Sequence, residues 1–243
     1  MSVEGPPRGA SGHHAGEQLV LDLAKPEPPT FSNFVPGPNR EALAALRALA
    51  ASSSRETGIL LWGAPHGGKS HLLAACAAEA GASRPVAWCA TPAALPAADA
   101  LRPSTLLVVD AVDAADAQAQ ALLFTLVNRL AALDGQWLAA SALPPARVAL
   151  RDDLRTRLAL GLVLEIVPLT DADKPQALVA YARERGFHLG DDVIDYLLAH
   201  GRRDMGSLMA ALAALDRRSL AVKRGVTVPL LREWLQRDLG LPR

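Results

Sequence analysis

The stretch GILLWGAPHGGKSHLLAACAAEA, residues 58–80, largely decides the fold expected for this chain. It begins with a short continuous apolar run, passes through a glycine-rich loop and continues with apolar residues at helical spacing. This order is typical of a buried parallel strand that feeds a crossover helix. We therefore expect a strand over 58–62 and a helix over 70–80.

The loop between them, GAPHGGKS at 63–70, fits the phosphate-binding pattern G-x-x-x-x-G-K-S. In such a loop, backbone N–H groups surround phosphate oxygens, Lys69 reaches the β and γ phosphates, and the Ser70 hydroxyl binds Mg²⁺. The sequence thus predicts a nucleotide site with Mg²⁺. Its loop residues are Gly63, Ala64, Pro65, His66, Gly67, Gly68, Lys69, Ser70 and His71.

Further apolar runs predict the rest of a sheet. The expected strands are 85–90, 105–110, 137–142 and 162–169, and helical patterns such as 118–133 lie between most of them. A turn at 36–38 precedes another helical pattern, for which Asn39 is the expected N-cap. The alternation predicts a doubly wound α/β fold with a five-stranded parallel sheet and binding at the carboxyl ends of its strands.

After the last predicted strand the pattern is helical only. Apolar stripes predict helices over 174–185, 192–200, 204–223 and 229–238. We therefore expect three parts, which are a leader over 1–29, a nucleotide-binding base over 30–168 and a small all-helical domain over 169–243.

The composition argues against several classes of protein. The 243 residues are 50% apolar, and 25 Lys and Arg balance 25 Asp and Glu, so no global charge attracts nucleic acid or an anionic membrane. Two cysteines, Cys76 and Cys89, lie in predicted core elements, which favours a reducing cytoplasm over a disulfide framework. No membrane span or secretory signal is predicted. We expect a cytoplasmic protein.

A second chemical signal is Asp110, at the carboxyl end of the strand pattern LLVVD. There a carboxylate holds the Mg²⁺ shell in the Walker-B arrangement, although a strand-ending aspartate without a ligand is the plainer alternative. Many ATPases place the acid that orients the attacking water next, where this chain has Ala111. Two further roles are left open. Asp113 is either a partial substitute for that acid or a loop or N-cap acid, and Ser141 is a candidate sensor of the γ-phosphate.

The order of these features resembles the AAA+ ATPases, and among them the branch of the bacterial replication initiator DnaA. TFSNFVPGPNREAL at 30–43 resembles the segment that opens the initiator's ATPase domain, whose loop, here Val35 and Pro36, flanks the adenine. DKPQALVAYARERGFHLGDDVIDYLL at 173–198 resembles the start of its helical lid. The resemblance covers roughly residues 30 to 240 and implies bound ADP or ATP with Mg²⁺.

The same resemblance implies roles for two arginines. Arg157, before the last strand, is implied as an arginine finger that reaches the nucleotide of a DnaA subunit. Arg203, in the helical part, is implied as the sensor-2 residue on the chain's own nucleotide. A finger acting in trans accelerates hydrolysis about a thousandfold or more and needs no catalytic base in its donor, which agrees with Ala111. Intrinsic ATPase activity is expected to be weak or absent.

The leader contains an apolar hexapeptide, QLVLDL at 18–23. From the residues alone, its alternating leucines fit an added edge strand or a segment packed on the ATPase core. DnaA continues after its lid into a helix-turn-helix domain, which is not expected here. A DnaA-like ATPase without that domain, preceded by a Q-L-x-L-x-L peptide, resembles the DnaA-related regulators that inactivate the initiator. Their peptide docks on the β-subunit sliding clamp of DNA polymerase, a mode typical of extended peptides in grooves. The implied clamp-binding residues are Gln18, Leu19, Leu21 and Leu23, and Asp22 departs from the family pattern.

The implied function is negative regulation of replication initiation. The chain, docked on the DNA-loaded clamp, would stimulate hydrolysis of DnaA-bound ATP and contact DNA only through the clamp; a homo-oligomer is left open. A helicase-loader or transposition-helper ATPase is the alternative, against which zero net charge counts. A P-loop small-molecule kinase is a third reading, against which the trailing helices count.

Overall fold

The computed structural model describes residues 28–202, 204–222 and 225–238. Five strands form one sheet in the order β2-β3-β4-β1-β5, and every neighbouring pair is parallel. This confirms the predicted α/β fold with a five-stranded parallel sheet. The strands are β1 Gly58–Trp62, β2 Val86–Cys89, β3 Leu106–Val109, β4 Gln136–Ser141 and β5 Leu162–Glu165.

The α-helices begin and end within one residue of the bounds predicted from the apolar patterns, wherever such bounds were assigned. They are α1 Arg40–Ala50, α2 Lys69–Ala80, α3 Ala117–Ala132, α4 Asp152–Ala159, α5 Lys174–Glu184, α6 Asp191–His200, α7 Met205–Val222 and α8 Val228–Asp238. None in the described ranges is long and apolar enough to cross a membrane.

Alternate residues of each strand enter two cores on opposite faces of the sheet. Ile59 and Leu61 of β1 pack with α1 and α2, whereas Leu60 between them packs with α3 and α4. Burial on both faces explains why the strands read as continuous apolar runs. Among the described residues, a third cluster lies within the helical part, from Leu178 to Leu235.

The prediction for the end of the fifth strand was wrong. β5 ends at Glu165, and the chain that follows leaves the sheet to become the connector, residues 166–169, that leads to α5. Ile166 still donates its N–H to the Trp62 carbonyl at 2.7 Å. The apolar residues of the connector look like strand in the sequence, but they cover the phosphate loop instead of pairing with β1.

The predicted N-cap position of Asn39 is confirmed, but its side chain bonds elsewhere. Asn39 occupies the N-cap position of α1 but makes no side-chain cap hydrogen bond. Its Nδ2 donates to the Val167 carbonyl at 2.9 Å, and its Oδ1 accepts from the Val167 N–H at 2.8 Å. Once Val167 has left the sheet, its backbone groups need other partners, and Asn39 supplies both.

Candidate functional site

The phosphate loop joins β1 to α2 through backbone conformations that suit glycine. Gly63 and Gly68 have φ values of +148° and +95°, and His66, at +62°, is the loop's left-handed residue with a side chain. A Cβ on Gly63 would lie 2.4 Å from the Ile166 carbonyl oxygen, and one on Gly68 would lie 2.7 Å from the Phe34 ring. The loop therefore packs directly against the connector and against the segment before α1.

Lys69 begins α2 and points back into the loop. Its Nζ donates to the carbonyl oxygens of Gly63 at 2.7 Å and Ala64 at 2.9 Å. Burial lowers the pKa of Lys69, and the carboxylates of Asp110 and Asp113 partly oppose that shift. The structure thus brings acids from the end of β3 into electrostatic contact with the loop lysine.

The donors expected for Mg²⁺ are present at this edge of the sheet. Ser70 is exposed at the start of α2, and half-buried Asp110 follows β3. One carboxylate oxygen of Asp110 accepts from the Ala111 N–H at 2.8 Å, which leaves its second oxygen available. Hydroxyl and carboxylate oxygens are ligands that Mg²⁺ prefers, so this donor set fits the ion.

Two weaker candidates have other engagements. Asp113 accepts from the backbone N–H of Ala142 at 3.1 Å, and so links the turn after β3 to the end of β4. Ser141 is 1% exposed and donates its hydroxyl to the Leu143 carbonyl at 2.6 Å. Neither residue lines the cavity described next.

A cavity of about 780 Å³ lies between the phosphate loop, the connector and the helical part. Its volume is within the range of small-molecule and cofactor sites. Of the residues expected at a nucleotide site, those that line it are Val35, His66, Gly67, Gly68, Lys69, Ser70 and His71. Gly63, Ala64, Pro65, Pro36 and Asp110 do not line it.

The helical part closes the other side of this cavity. Tyr181 of α5 and, at the start of α7, Asp204, Met205 and Met209 face it. Burial alone would raise the pKa of Asp204, but hydrogen bonds from Ser207 and the charge of Arg202 lower it, so the carboxylate caps α7 in its charged form. The sensor-2 candidate, Arg203, lies outside the described residues.

Arg157 lies at the opposite end of the strands from the phosphate loop. It is exposed in the last turn of α4, two residues before Ala159, after which Leu160 and Gly161 lead into β5. A Cβ on Gly161 would lie 2.6 Å from the carbonyl oxygen of Gly58, which starts β1. The phosphate loop follows the other end of β1, about 15 Å away for a strand of this length. The structure therefore does not bring Arg157 to the chain's own cavity.

Two nearby arginines, one at the N-cap of α4 and one within it, differ from Arg157 in their contacts. Arg151 pairs with Asp153 at 2.7 Å, and Arg155 pairs with Asp152 at 2.8 Å. Within the described part of the chain, Arg157 has neither an ion pair nor a side-chain hydrogen bond. Its guanidinium is thus available to an external anion.

Comparison with known proteins supports the same architecture. The Hda lid domain family matches residues 171–235. Domain III of DnaA from Thermotoga maritima superposes with a TM-score of 0.66 at 20% identity, covering 88% of this chain and 97% of that one. The chain therefore has a DnaA-like AAA+ fold with an Hda-type lid. This confirms the resemblance to DnaA-related AAA+ proteins inferred from the motifs.

Two further structures show how widely this fold is shared. AMPPCP-bound DnaA from Aquifex aeolicus has a TM-score of 0.62 at 24% identity, covering 80% of this chain and 67% of that one. A RuvB variant from Thermotoga maritima has a TM-score of 0.61 at 18% identity, covering 88% and 73%. The fold of this chain is thus shared with structures other than DnaA.

Several residues of the site were missed by the sequence reasoning. They are Asn33 and Phe34 before α1, Asn39 and Val167 at the connector, and Tyr181, Asp204, Met205 and Met209 of the Hda-type lid. Only Asp204 carried a local signal, since an aspartate just before an apolar helical pattern is a typical cap. The clamp-binding candidates Gln18, Leu19, Leu21 and Leu23 lie outside the described residues.

Proposed function

We propose that this chain is a nucleotide-bound regulator of replication initiation that stimulates hydrolysis of the ATP held by DnaA. The observation that carries the proposal is Arg157, an exposed arginine without a partner among the described residues, at the sheet edge opposite the chain's own cavity. An arginine so placed is suited to act on a nucleotide held by another subunit. The DnaA-like fold and the Hda-type lid make DnaA the proposed partner.

The chain's own nucleotide would be ADP or ATP. A DnaA of the same fold binds the ATP analogue AMPPCP, and this chain has a P-loop beside a cavity of about 780 Å³. Lys69 would exchange its bonds to the Gly63 and Ala64 carbonyls for phosphate oxygens. Ser70 and Asp110 would hold Mg²⁺, which would neutralise phosphate charge.

Hydrolysis of that nucleotide is not expected to be the main activity. Ala111 follows Asp110 and adopts φ +50°, with its N–H bonded to the Asp110 carboxylate. An alanine side chain can neither orient nor deprotonate a water molecule. The resident nucleotide would therefore hold the base and the lid together while the relevant reaction takes place in the partner.

Arg157 would act on the partner's reaction by charge stabilisation. Its guanidinium can donate two parallel hydrogen bonds to the oxygens of a transferring phosphoryl group, where negative charge is spread in the transition state. Because no acid of α4 holds Arg157, no ion pair has to break when the arginine enters the partner's site. The partner's own residues would position the attacking water and accept its proton.

Docking on the sliding clamp would confine this reaction to DNA that carries a clamp. The proposed contacts are made by Gln18, Leu19, Leu21 and Leu23, as an extended peptide in a preformed groove. DNA would then be contacted indirectly. This part of the proposal is supported by the peptide sequence and by the Hda-type lid.

The decisive experiment measures hydrolysis of DnaA-bound ATP with DNA-loaded clamp and the full chain. We expect stimulation by the wild type, loss of stimulation with Arg157→Ala, and retention with the matched control Arg155→Ala on the same helix. Both variants should bind ADP normally. Equal stimulation by Arg157→Ala and wild type would refute the finger, and salt-sensitive DNA binding by the chain alone would favour a loader or transposition helper.

A further inference from the structure

The segment before α1, residues 28–34, is held in one shape by its own side chains; we call it the strap. The amide of Asn33 donates to the Pro28 carbonyl at 3.0 Å, and its Oδ1 accepts from the Thr30 N–H at 2.8 Å. The Thr30 hydroxyl accepts in turn from the Asn33 N–H at 3.2 Å. Phe31 is 5% exposed and anchors the strap in the core beside α1.

One side chain of α2 fastens the strap to the phosphate-loop helix. His71, directly after Ser70, bonds through Nε2 to the carbonyl oxygen of Thr30 at 2.9 Å, 41 positions earlier in the chain. Because a carbonyl oxygen can only accept, Nε2 carries the proton. The imidazole also lies against the Phe34 ring, with centroids 5.7 Å apart and the planes tilted by 44°.

The strap forms one wall of the cavity. Pro28, Pro29, Asn33 and Phe34 all line it, on the side of the phosphate loop, and residues of the lid face it. Phosphates bound by Lys69 and Ser70 would occupy the end at the start of α2. The space left for the nucleoside is then bounded by the strap, the connector and the lid.

We propose that His71 is a positioning residue that sets nucleoside affinity by holding the strap in place. It would act through Thr30 and Phe34 and not through the phosphates. The inference rests on the proposed nucleotide binding and deepens it. It separates two functions within adjacent residues of α2, phosphate binding by Lys69 and Ser70 and placement of the nucleoside wall by His71.

The test uses the full chain and compares His71→Ala with His71→Gln. Glutamine keeps an N–H donor near the position of Nε2, whereas alanine has none. Affinities for Mg-ADP and for inorganic pyrophosphate are measured by displacement of a fluorescent ADP analogue. Pyrophosphate reports the phosphate end alone, so the pair of ligands shows which end of the cavity a substitution affects.

We expect His71→Ala to weaken ADP binding about tenfold, the loss that matches one hydrogen bond and its ring contact. Pyrophosphate affinity should stay within about twofold of wild type, and His71→Gln should bring ADP affinity back to within about threefold. Unchanged ADP affinity in His71→Ala would overturn the proposal. So would an equal loss of ADP and pyrophosphate, since His71 would then act on the phosphate loop.

Backbone hydrogen exchange provides a second readout that does not depend on ligand. In His71→Ala, amides of residues 30–34 should exchange faster while those of the α2 interior keep their protection. Uniformly faster exchange across α2 would assign His71 a role in helix stability only. If the wild type bound neither ligand, the proposed nucleotide function would fail, and the exchange result would still decide whether His71 holds the strap.

Discussion

Asn39 and Val167 exchange two hydrogen bonds across 128 positions of sequence, at 2.9 and 2.8 Å, so the start of α1 holds the chain that joins the sheet to the lid. Asn39 is 5% exposed, and both residues line the cavity. The amide side chain thus restrains the connector between the sheet and the lid.

Replacing Asn39 by alanine should therefore affect both stability and binding. Loss of two part-buried hydrogen bonds should lower the free energy of unfolding by about 1–3 kcal/mol, measured by urea denaturation. ADP affinity should fall as well, because the connector borders the cavity. As a control, Asp116→Ala removes the side chain that caps α3 and should cost about 1 kcal/mol without changing ADP affinity.

Lysine at position 157 should not support the stimulation that arginine supports. Lysine retains the positive charge, but its ammonium cannot make the paired hydrogen bonds of the planar guanidinium. In the DnaA hydrolysis assay, Arg157→Lys should stimulate roughly tenfold or more below wild type, whereas Arg155→Lys should match wild type. Full activity of Arg157→Lys would mean that charge alone acts at this position.

Acidification should lower the stability of the folded chain through His71. Burial lowers the pKa of His71 below its ordinary value of 6.5, and the bond to the Thr30 carbonyl opposes this shift only in part. The folded state therefore favours neutral imidazole. Its contribution to stability is complete above pH 6.5 and is lost as the pH falls through the lower pKa of the folded state.

This dependence can be isolated by thermal unfolding between pH 7.5 and 5. The wild type should lose more stability than His71→Gln over that range, because glutamine does not titrate there. Equal losses in the two proteins would show that other groups cause the pH dependence.

Both cysteines should be nearly inert in the folded chain. Burial raises the pKa of Cys76 to about 12 and that of Cys89 to about 11. At pH 8 the thiolate fractions are then about 1 in 10⁴ and about 1 in 10³. Mass spectrometry after iodoacetamide treatment should show little alkylation without urea, with Cys89 the faster site, and rapid alkylation of both in urea. Rapid labelling of the folded chain would contradict this burial.

The elements that could be predicted were those whose signals are local. The run of residues 58–80 places an apolar strand, a glycine-rich loop and an alanine-rich helix next to one another, and the structure has all three in that order. The alternation of strands with helices was sufficient to predict the parallel sheet. The order of the motifs was sufficient to identify the resemblance to AAA+ proteins.

Contacts between distant residues could not be predicted in this way. Nothing near Asn39 in the sequence shows that its amide bonds a residue of the connector, and a cap was the locally favoured interpretation. The His71–Thr30 bond and the position of Tyr181 at the cavity beside the phosphate loop are similar cases. Each depends on how the helices pack on the sheet, and a single sequence carries no direct signal of that packing.

Arg157 and the cavity are separated by the length of β1, so the molecule has two different candidate functional surfaces at its two ends. In the proposed function the two surfaces would meet head to tail, so that the donor and the acceptor of the arginine are different patches of surface. A chain that gives its arginine to a neighbour still presents its own cavity to the far side. In the proposed function it would stand at the end of a row of AAA+ subunits, completing the site of the subunit next to it while its own site has no donor.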